Sequence, residues 1–370
     1  MEKDELSFEL INKPGIGTFE ERFPWIGGDL QTLRDTFISE KISSVKSSEV
    51  LIPVPSLPFG KLGAGNLLAY LEEPEDPLPI NGLVLILHGL GGSTRRQGFR
   101  RMARSLLDSG FVVLKLNLRG ADPCRNLVPG TYAAECNSDL FPVLGRAREI
   151  ADSFSDRYRG AKDNVPVYGA GISLGGTILL NACLSSGFSS ATFKPTLDGL
   201  VCISSPLNLF ESSESIQRFR NIVYQRWLLK RLVRQTISDP FGIDDVEYRA
   251  LKDSDDRAKT VNDIRSFDSY ITAPRWGYKD VNDYYLKASP FFSLAENKNN
   301  LPPILIIQSK DDPWVPSKSA ETLNKFEVQL DSNLRRKIQV VLTNHGCHNG
   351  FHGKEGCWGD KLVKSWLLNL

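Results

Sequence analysis

The chain has 370 residues, 41% hydrophobic and 24% charged, the balance of a globular protein large enough for one sizeable core with an insertion. Its 45 basic and 44 acidic residues leave a net charge of +1, which excludes a global field for nucleic acid. No apolar run approaches the ~20 residues of a membrane span, and the acidic start Met1-Glu-Lys-Asp-Glu-Leu6 lacks the basic and apolar regions of a signal peptide. The six cysteines follow no framework spacing, and Cys183 and Cys202 stand in apolar runs as buried thiols. A reduced, cytoplasmic setting is the expectation.

Residues 1–45, interrupted by Pro14-Gly15 and Gly27-Gly28, are expected to form an irregular extension. Two strands follow, Val50 to Val54 and Leu67 to Leu71, spaced to pair as a hairpin. Leu83 to Leu87 and Phe111 to Leu116 are continuous apolar runs, the pattern of strands buried on both faces, with an amphipathic helix at about Gln97 to Ser109 between them. A helix over Asp139 to Asp156 precedes a strand from Val165 to Tyr168, and a helix-compatible run, Thr177 to Leu184, leads to a strand at Leu200 to Ile203. Two late strands, Ile304 to Ile307 and Ile338 to Leu342, flank a helix at about Ser317 to Val328. Strand alternating with helix predicts an α/β fold, a parallel sheet covered on both faces with its ligand site at the carboxyl ends of the strands. Residues 46–203 and 301–370 would form this core. The polar, aromatic interval 204–300 has no buried strand and reads as a cap laid over the strand ends.

The strongest signal is Gly171-Ile-Ser-Leu-Gly175, set between the Val165 strand and a helix. G-x-S-x-G alone is weak, but after a strand and before a helix it describes a sharp turn that lifts Ser173 above the sheet. Glycine at 171, 175 and 176 permits the close approach such a turn requires. A serine nucleophile requires a base. Of four histidines, His88 follows an early strand, whereas His345, His348 and His352 follow the last one. The order serine, acid, histidine calls for an acid after the penultimate strand, where Asp311 and Asp312 compete; Asp312, four residues before Pro316, is preferred. For the histidine cluster the rival is zinc, disfavoured because Gly346, Gly350 and Gly353 break helical spacing and no C-x-x-C accompanies it. The glycine-rich run His88-Gly-Leu-Gly-Gly-Ser93 suits an oxyanion loop. The N–H of Leu90 and that of Leu174 are the expected donors. As a phosphate cradle the run lacks the Gly-Lys-Ser/Thr ending.

With these blocks in view the chain resembles an α/β-hydrolase, and within that superfamily the YheT-like branch, relatives of the mammalian α/β-hydrolase-domain esterases and acylglycerol lipases. The resemblance runs from Phe23-Pro-Trp-Ile-Gly-Gly-Asp-Leu-Gln-Thr32 to the C-terminus and includes Asn117-Leu-Arg-Gly120, Asp280-Val-Asn-Asp-Tyr-Tyr285, Ala288-Ser-Pro290, Asp311-Asp-Pro313 and His348-Asn-Gly-Phe351. It implies a mostly parallel eight-stranded sheet flanked by helices, with a helical cap insertion. It also implies a Ser-Asp-His hydrolase of esters, with Ser173, Asp312 and His348 at the catalytic positions and no cofactor. Three stretches depart from the family pattern: Tyr132-Ala-Ala-Glu135 stands for Tyr-His-x-Gly, Asp29-Leu-Gln-Thr32 for His-Leu-Gln-Thr, and Gly346-Cys347-His348 for Gly-Gly-His.

The leading expectation is a carboxylesterase or short-acylglycerol lipase. An acyltransferase or thioesterase would use the same triad with another acceptor, and a non-catalytic member would ordinarily have lost a triad residue. One segment is separate from the triad. From Ser215 to Ser238 there is no acidic residue, and Arg218, Arg220, Arg226, Lys230, Arg231 and Arg234 are basic. Ile216, Phe219, Val223 and Trp227 recur at helical spacing. The expectation is a helix whose apolar stripe packs inward and whose charges pair with Asp239, Asp244, Asp245, Glu247, Asp253, Asp255 and Asp256; weak membrane-surface contact is the rival.

Overall fold

The computed structural model describes residues 16–43, 45–57, 60–75, 80–157, 165–185, 197–252, 260–296, 301–325 and 337–370. Eight apolar runs within them form β1 (Ser47–Val54), β2 (Gly65–Glu72), β3 (Gly82–Leu87), β4 (Phe111–Leu116), β5 (Val167–Ile172), β6 (Gly199–Ile203), β7 (Ile304–Ser309) and β8 (Ile338–Thr343). They pair in one sheet, in the order β1-β2-β4-β3-β5-β6-β7-β8. The continuous apolar runs β3, β4 and β7 are buried at every residue, while β1, at the edge, alternates and buries only Ile52 and Val54. β1 and β2 form the expected antiparallel pair, Ile52 opposite Leu67, and β2 is antiparallel to β4; all other pairs are parallel. From β3 the chain runs outward to β4 and then returns to β5 on the other side. The loops leaving β3 and β5 therefore diverge and open a crevice at the carboxyl edge.

The described helices are α1 (Gly28–Phe37), α2 (Gln97–Leu107), α3 (Asn137–Arg157), α4 (Leu174–Leu184), α5 (Leu209–Gln217), α6 (Ile222–Ile237), α7 (Asp245–Lys252), α8 (Val281–Lys287), α9 (Pro290–Glu296), α10 (Lys318–Lys325) and α11 (Trp358–Leu368), with shorter helical pieces between α7 and α8. α2 and α11 cover one face of the sheet through Phe99, Met102, Leu106, Trp358 and Leu362. α3, α4 and α10 cover the other through Leu140, Leu144, Ile178 and Leu323. The α/β expectation holds. α1 stands where an irregular extension was expected: its buried residues are Gln31 and Arg34, so no apolar periodicity marks it. Residues 326–328 of the helix expected at Ser317 to Val328 lie outside the described residues. No helix among the described residues is long and apolar enough to cross a membrane.

Between β6 and β7 the insertion is helical from α5 to α9. Its first part has a small core of Ile216, Leu228, Leu232, Ile264, Phe267 and Ile271. Tyr284, Tyr285, Ala288 and Leu294 of its second part join the main core. The basic segment departs from expectation. It is not one helix: the chain is extended at Arg218 (ψ 145°), and Asn221 Nδ2 donates to Ser215 O at 2.8 Å. That break turns the stripe. Ile216 is buried, but Phe219, Val223 and Trp227 are 90%, 71% and 47% exposed, and Gln225, Leu228, Leu232 and Thr236 face inward instead. The acids have other partners: Asp244 pairs with Lys61, and Glu247 with Arg275 at 2.8 Å. Asp253, Asp255 and Asp256 lie outside the described residues.

Candidate active site

Ser173 connects β5 to α4 at φ 54° and ψ −128°, a strained conformation for a residue with a side chain. Tight packing enforces it. A Cβ at Gly171 would overlap the backbone of Gly176, and one at Gly175 would overlap the Leu87 carbonyl. The Ser173 N–H donates to Ile203 O at 2.8 Å, tying the turn to β6. The hydroxyl therefore stands at the carboxyl edge of the sheet, at the N-terminus of α4, where a helix favours negative charge.

The β8 and β7 loops bring their side chains to it. His348 Nε2 lies 3.0 Å from Ser173 Oγ, and His348 Nδ1 lies 2.9 Å from Asp312 Oδ2. With Nδ1–H donating to the carboxylate, Nε2 is left to accept from the serine hydroxyl. Asp312 is held from behind, since its Oδ1 accepts the N–H groups of Trp314 and Val315 at 2.8 and 2.9 Å. The Trp314 ring covers the imidazole, 4.4 Å between centroids. Asp311 faces away from the imidazole and grips the backbone instead. Its Oδ1 accepts the Cys347 N–H at 2.8 Å and a hydrogen bond from Ser309 Oγ. The loop it holds has three non-glycine residues at positive φ, Cys347, Asn349 and Phe351.

α1 braces the same loop. Gln31 Oε1 accepts the His352 N–H at 2.8 Å while its Nε2 donates to Trp25 O and His352 O, at 2.6 and 3.1 Å. Thr32 Oγ1 accepts the His348 N–H at 3.3 Å. Cys347 lies beneath, its thiol pushed up to about 12 by burial. The histidine cluster is dispersed. His345 is exposed near Asp311 (3.6 Å), and His352 is buried between Arg34 (3.3 Å) and Asp35 (3.4 Å), its pKa lowered to about 3 by burial and then by Arg101. Among the described residues the group with metal-ligand spacing is Glu21, Asp311 and His345, not the three histidines.

The β3 loop is the opposite wall. A Cβ at Gly89 would come within 2.8 Å of Ser173 Cβ, so the loop backbone lies against the serine. His88 is buried beneath: Nδ1–H donates to Gly89 O at 2.9 Å and Nε2 accepts the Leu118 N–H at 3.3 Å, and burial lowers its pKa to about 4. Tyr132 closes the loop, its hydroxyl accepting the Gly91 N–H at 2.7 Å and donating to Gly89 O at 3.1 Å. Leu90 and Leu174 both line the cavity in front of Ser173. Sequence reasoning did not find Tyr132, Gln31 or Thr32 as supports. Tyr132 and the Gln31-Thr32 pair each open or close a stretch that departs from the family pattern, which is the signal that could have drawn attention to them.

The cavity encloses about 370 Å³ and continues from Ser173 and His348 beneath the insertion, whose Leu228, Leu232, Phe267, Asp268 and Tyr285 line it. Most of the lining is apolar. Asp268 is among the charged residues of the lining, a carboxyl raised to about 6 by burial, accepting from Thr272 Oγ1 and the Tyr285 hydroxyl at 2.8 Å each.

A family model described as "alpha/beta hydrolase fold" matches residues 82–355. The chain is 28% identical over 277 residues to the bovine protein named phospholipase ABHD3, covering 74% of this chain and 59% of that protein. It is likewise 28% identical over 308 residues to the putative esterase YheT of Escherichia coli (strain K12), covering 81% and 80%. Among solved structures, a soluble variant of monoglyceride lipase from Saccharomyces cerevisiae superposes with a TM-score of 0.52 at 16% identity, over 89% of this chain and 98% of that one. These likenesses lie in the YheT-like branch and the fold that the sequence blocks resemble.

Proposed function

The chain belongs to the α/β-hydrolase fold family, and we propose that it cleaves carboxylic esters through an acyl-enzyme on Ser173. The observation that carries this reading is the hydrogen-bonded line Asp312–His348–Ser173, 2.9 and 3.0 Å, at the floor of a largely apolar cavity. His348 takes the hydroxyl proton at Nε2 as Ser173 Oγ attacks the ester carbonyl, and Asp312 stabilises the imidazolium that forms. The N–H groups of Leu90 and Leu174 receive the negative charge on the carbonyl oxygen. The tetrahedral adduct collapses, His348 returns the proton to the departing alcohol, and water repeats the sequence to release the acid. The insertion of residues 204–300 acts as a cap over the acyl group, admitting the hydrolytic water while limiting bulk solvent.

Cavity size and lining suit a carboxylesterase or short-acylglycerol-lipase type of substrate, since ligand sites of ~300–1,000 Å³ with an apolar wall and few polar groups take small organic molecules. The names of the relatives, phospholipase and esterase, agree in substrate class. A panel of p-nitrophenyl esters of graded acyl length, run on wild type and Ser173→Ala, tests the reading. Turnover of the shorter esters by wild type, falling by ~10³-fold or more in the variant, is the expected result. Equal rates in both proteins would remove Ser173 from the chemistry.

A further inference from the structure

On the outer surface of the insertion, Phe219, Val223, Arg226, Trp227, Lys230 and Arg234 are all exposed, at the i, i+3, i+4 spacing that places them on one side of α6 and the turn before it. The stripe is apolar at its start and basic at its end. From Ser215 to Ser238 no acidic residue interrupts it. We propose that this stripe docks the protein on an anionic phospholipid surface, with Phe219, Val223 and Trp227 entering the headgroup boundary and Arg226, Lys230 and Arg234 meeting lipid phosphates.

Three observations carry the proposal. A phenylalanine at 90% exposure beside a valine at 71% is left uncovered by the described residues. A surface helix ordinarily turns such residues inward. Here the inward positions are filled by Leu228 and Leu232, leaving a second apolar face outward. The charge on that face has one sign, and the acid that reaches its edge, Asp29 of α1, is engaged by Arg220 at 3.3 Å and by the Tyr224 hydroxyl at 2.9 Å. This is the combination by which amphipathic segments lie on anionic bilayers, apolar insertion added to attraction for headgroups. Position supplies the third argument. Trp227 both belongs to the stripe and lines the cavity that holds Ser173, and the guanidinium groups of Arg231 and Arg96 lie 5.1 and 5.8 Å from its ring. Docking through this face would put the cavity mouth against the bilayer, so that an acyl chain passes from lipid to apolar lining without crossing water.

The inference deepens the ester-hydrolase reading by naming the surface from which substrate arrives. Its test separates the two. Full-length wild type, Phe219→Ser/Val223→Ser and Arg226→Glu/Lys230→Glu are sedimented with vesicles of phosphatidylcholine alone or with phosphatidylserine, at low and moderate salt. Each protein is also assayed on a soluble short-chain p-nitrophenyl ester. Wild type is expected to bind the anionic vesicles, less at moderate salt, and to bind phosphatidylcholine weakly. Charge reversal is expected to weaken anionic binding by about ten-fold or more, given roughly a kcal/mol per basic residue at the surface, and the serine pair to weaken it at both salts. Soluble-ester turnover stays as in wild type, which also reports that the variants fold. No wild-type binding at low salt, or equal binding by all three proteins, overturns the proposal. So does self-association of wild type that the serine pair abolishes, because a second copy would then cover the stripe. Vesicle binding without ester turnover would leave docking standing and remove the hydrolase reading instead.

Discussion

Asp311 and Cys347 are joined by a 2.8 Å hydrogen bond from the cysteine backbone N–H to the carboxylate. The acid next to the one that faces the imidazole thus holds the loop that carries the imidazole. Two adjacent carboxylates divide the work: Asp312 meets the side chain of His348, and Asp311 fixes the backbone just before it.

The division predicts different losses. Asp312→Asn presents an amide where His348 Nδ1–H needs an acceptor of full charge, and kcat is expected to fall by ~10⁴-fold with the fold retained. Asp311→Asn keeps an oxygen able to accept from Cys347, and a loss of about ten-fold or less is expected. Kinetics on one soluble ester, with circular dichroism as a fold control, distinguishes them. A larger loss for Asp311→Asn would reverse the assignment.

His348→Ala is expected to abolish turnover to the same extent as loss of the serine, because triad members act as a unit. His345→Ala, at an exposed side chain, should leave kcat within a few-fold. His352→Ala removes one contact from each of Arg34 and Asp35, which still pair with each other, with Glu40 and with Arg101, so its cost of roughly 0.5–1.5 kcal/mol falls on stability more than on kcat. Activity surviving in His348→Ala and vanishing in His345→Ala contradicts this reading.

Tyr132→Phe removes one hydroxyl that satisfies Gly91 N–H and Gly89 O together. The loop whose backbone lies against Ser173 then loses its brace. Loss of a true oxyanion donor costs ~10²–10³-fold in kcat; a misplaced loop is expected to cost about ten-fold, with KM nearly unchanged. A change confined to KM would assign Tyr132 to ground-state binding.

Much of this is legible in the amino-acid order, for a physical reason. Strands buried on both faces must be continuously apolar, so β3, β4 and β7 stand out. A turn as sharp as the one at Ser173 must be flanked by glycine, so the serine stands out as well. Topology points to the loops after the two late strands, where Asp311 and Asp312 stay rivals and where only the family resemblance singles out His348 from His345 and His352. α1 is not legible because its buried side is Gln31 and Arg34, whose shared partner His352 is more than 300 residues away. The outward stripe at Phe219 is hidden for another reason. Periodicity reveals that a helix has a face but not which way the face points, and the break at Arg218 turns it outward.

Stability should depend on pH through the buried histidines. His88 at about 4 and His352 at about 3 both lie below the ordinary 6.5. Between those values and pH 6.5 the unfolded chain binds two protons that the native state refuses. Native stability is therefore full above pH 6.5 and falls by about 1.4 kcal/mol per pH unit for each histidine as the solution is acidified. Asp268, raised to about 6, acts in the opposite sense: its contribution is present at low pH and lost as pH rises through 6, which offsets one histidine between pH 4 and 6. In urea titrations the deficit of His88→Asn relative to wild type should narrow by about 2 kcal/mol from pH 7 to pH 5. A deficit independent of pH would mean that His88 titrates normally.

The proposed reaction places the acyl group on Ser173. Reaction with a fluorophosphonate, followed by intact mass and peptide mapping, examines it without any assumption about substrate. A single adduct is expected on the peptide containing Ser173, slowed in His348→Ala and absent from Ser173→Ala. An adduct of unchanged yield in Ser173→Ala, or one mapped to another residue, would contradict it.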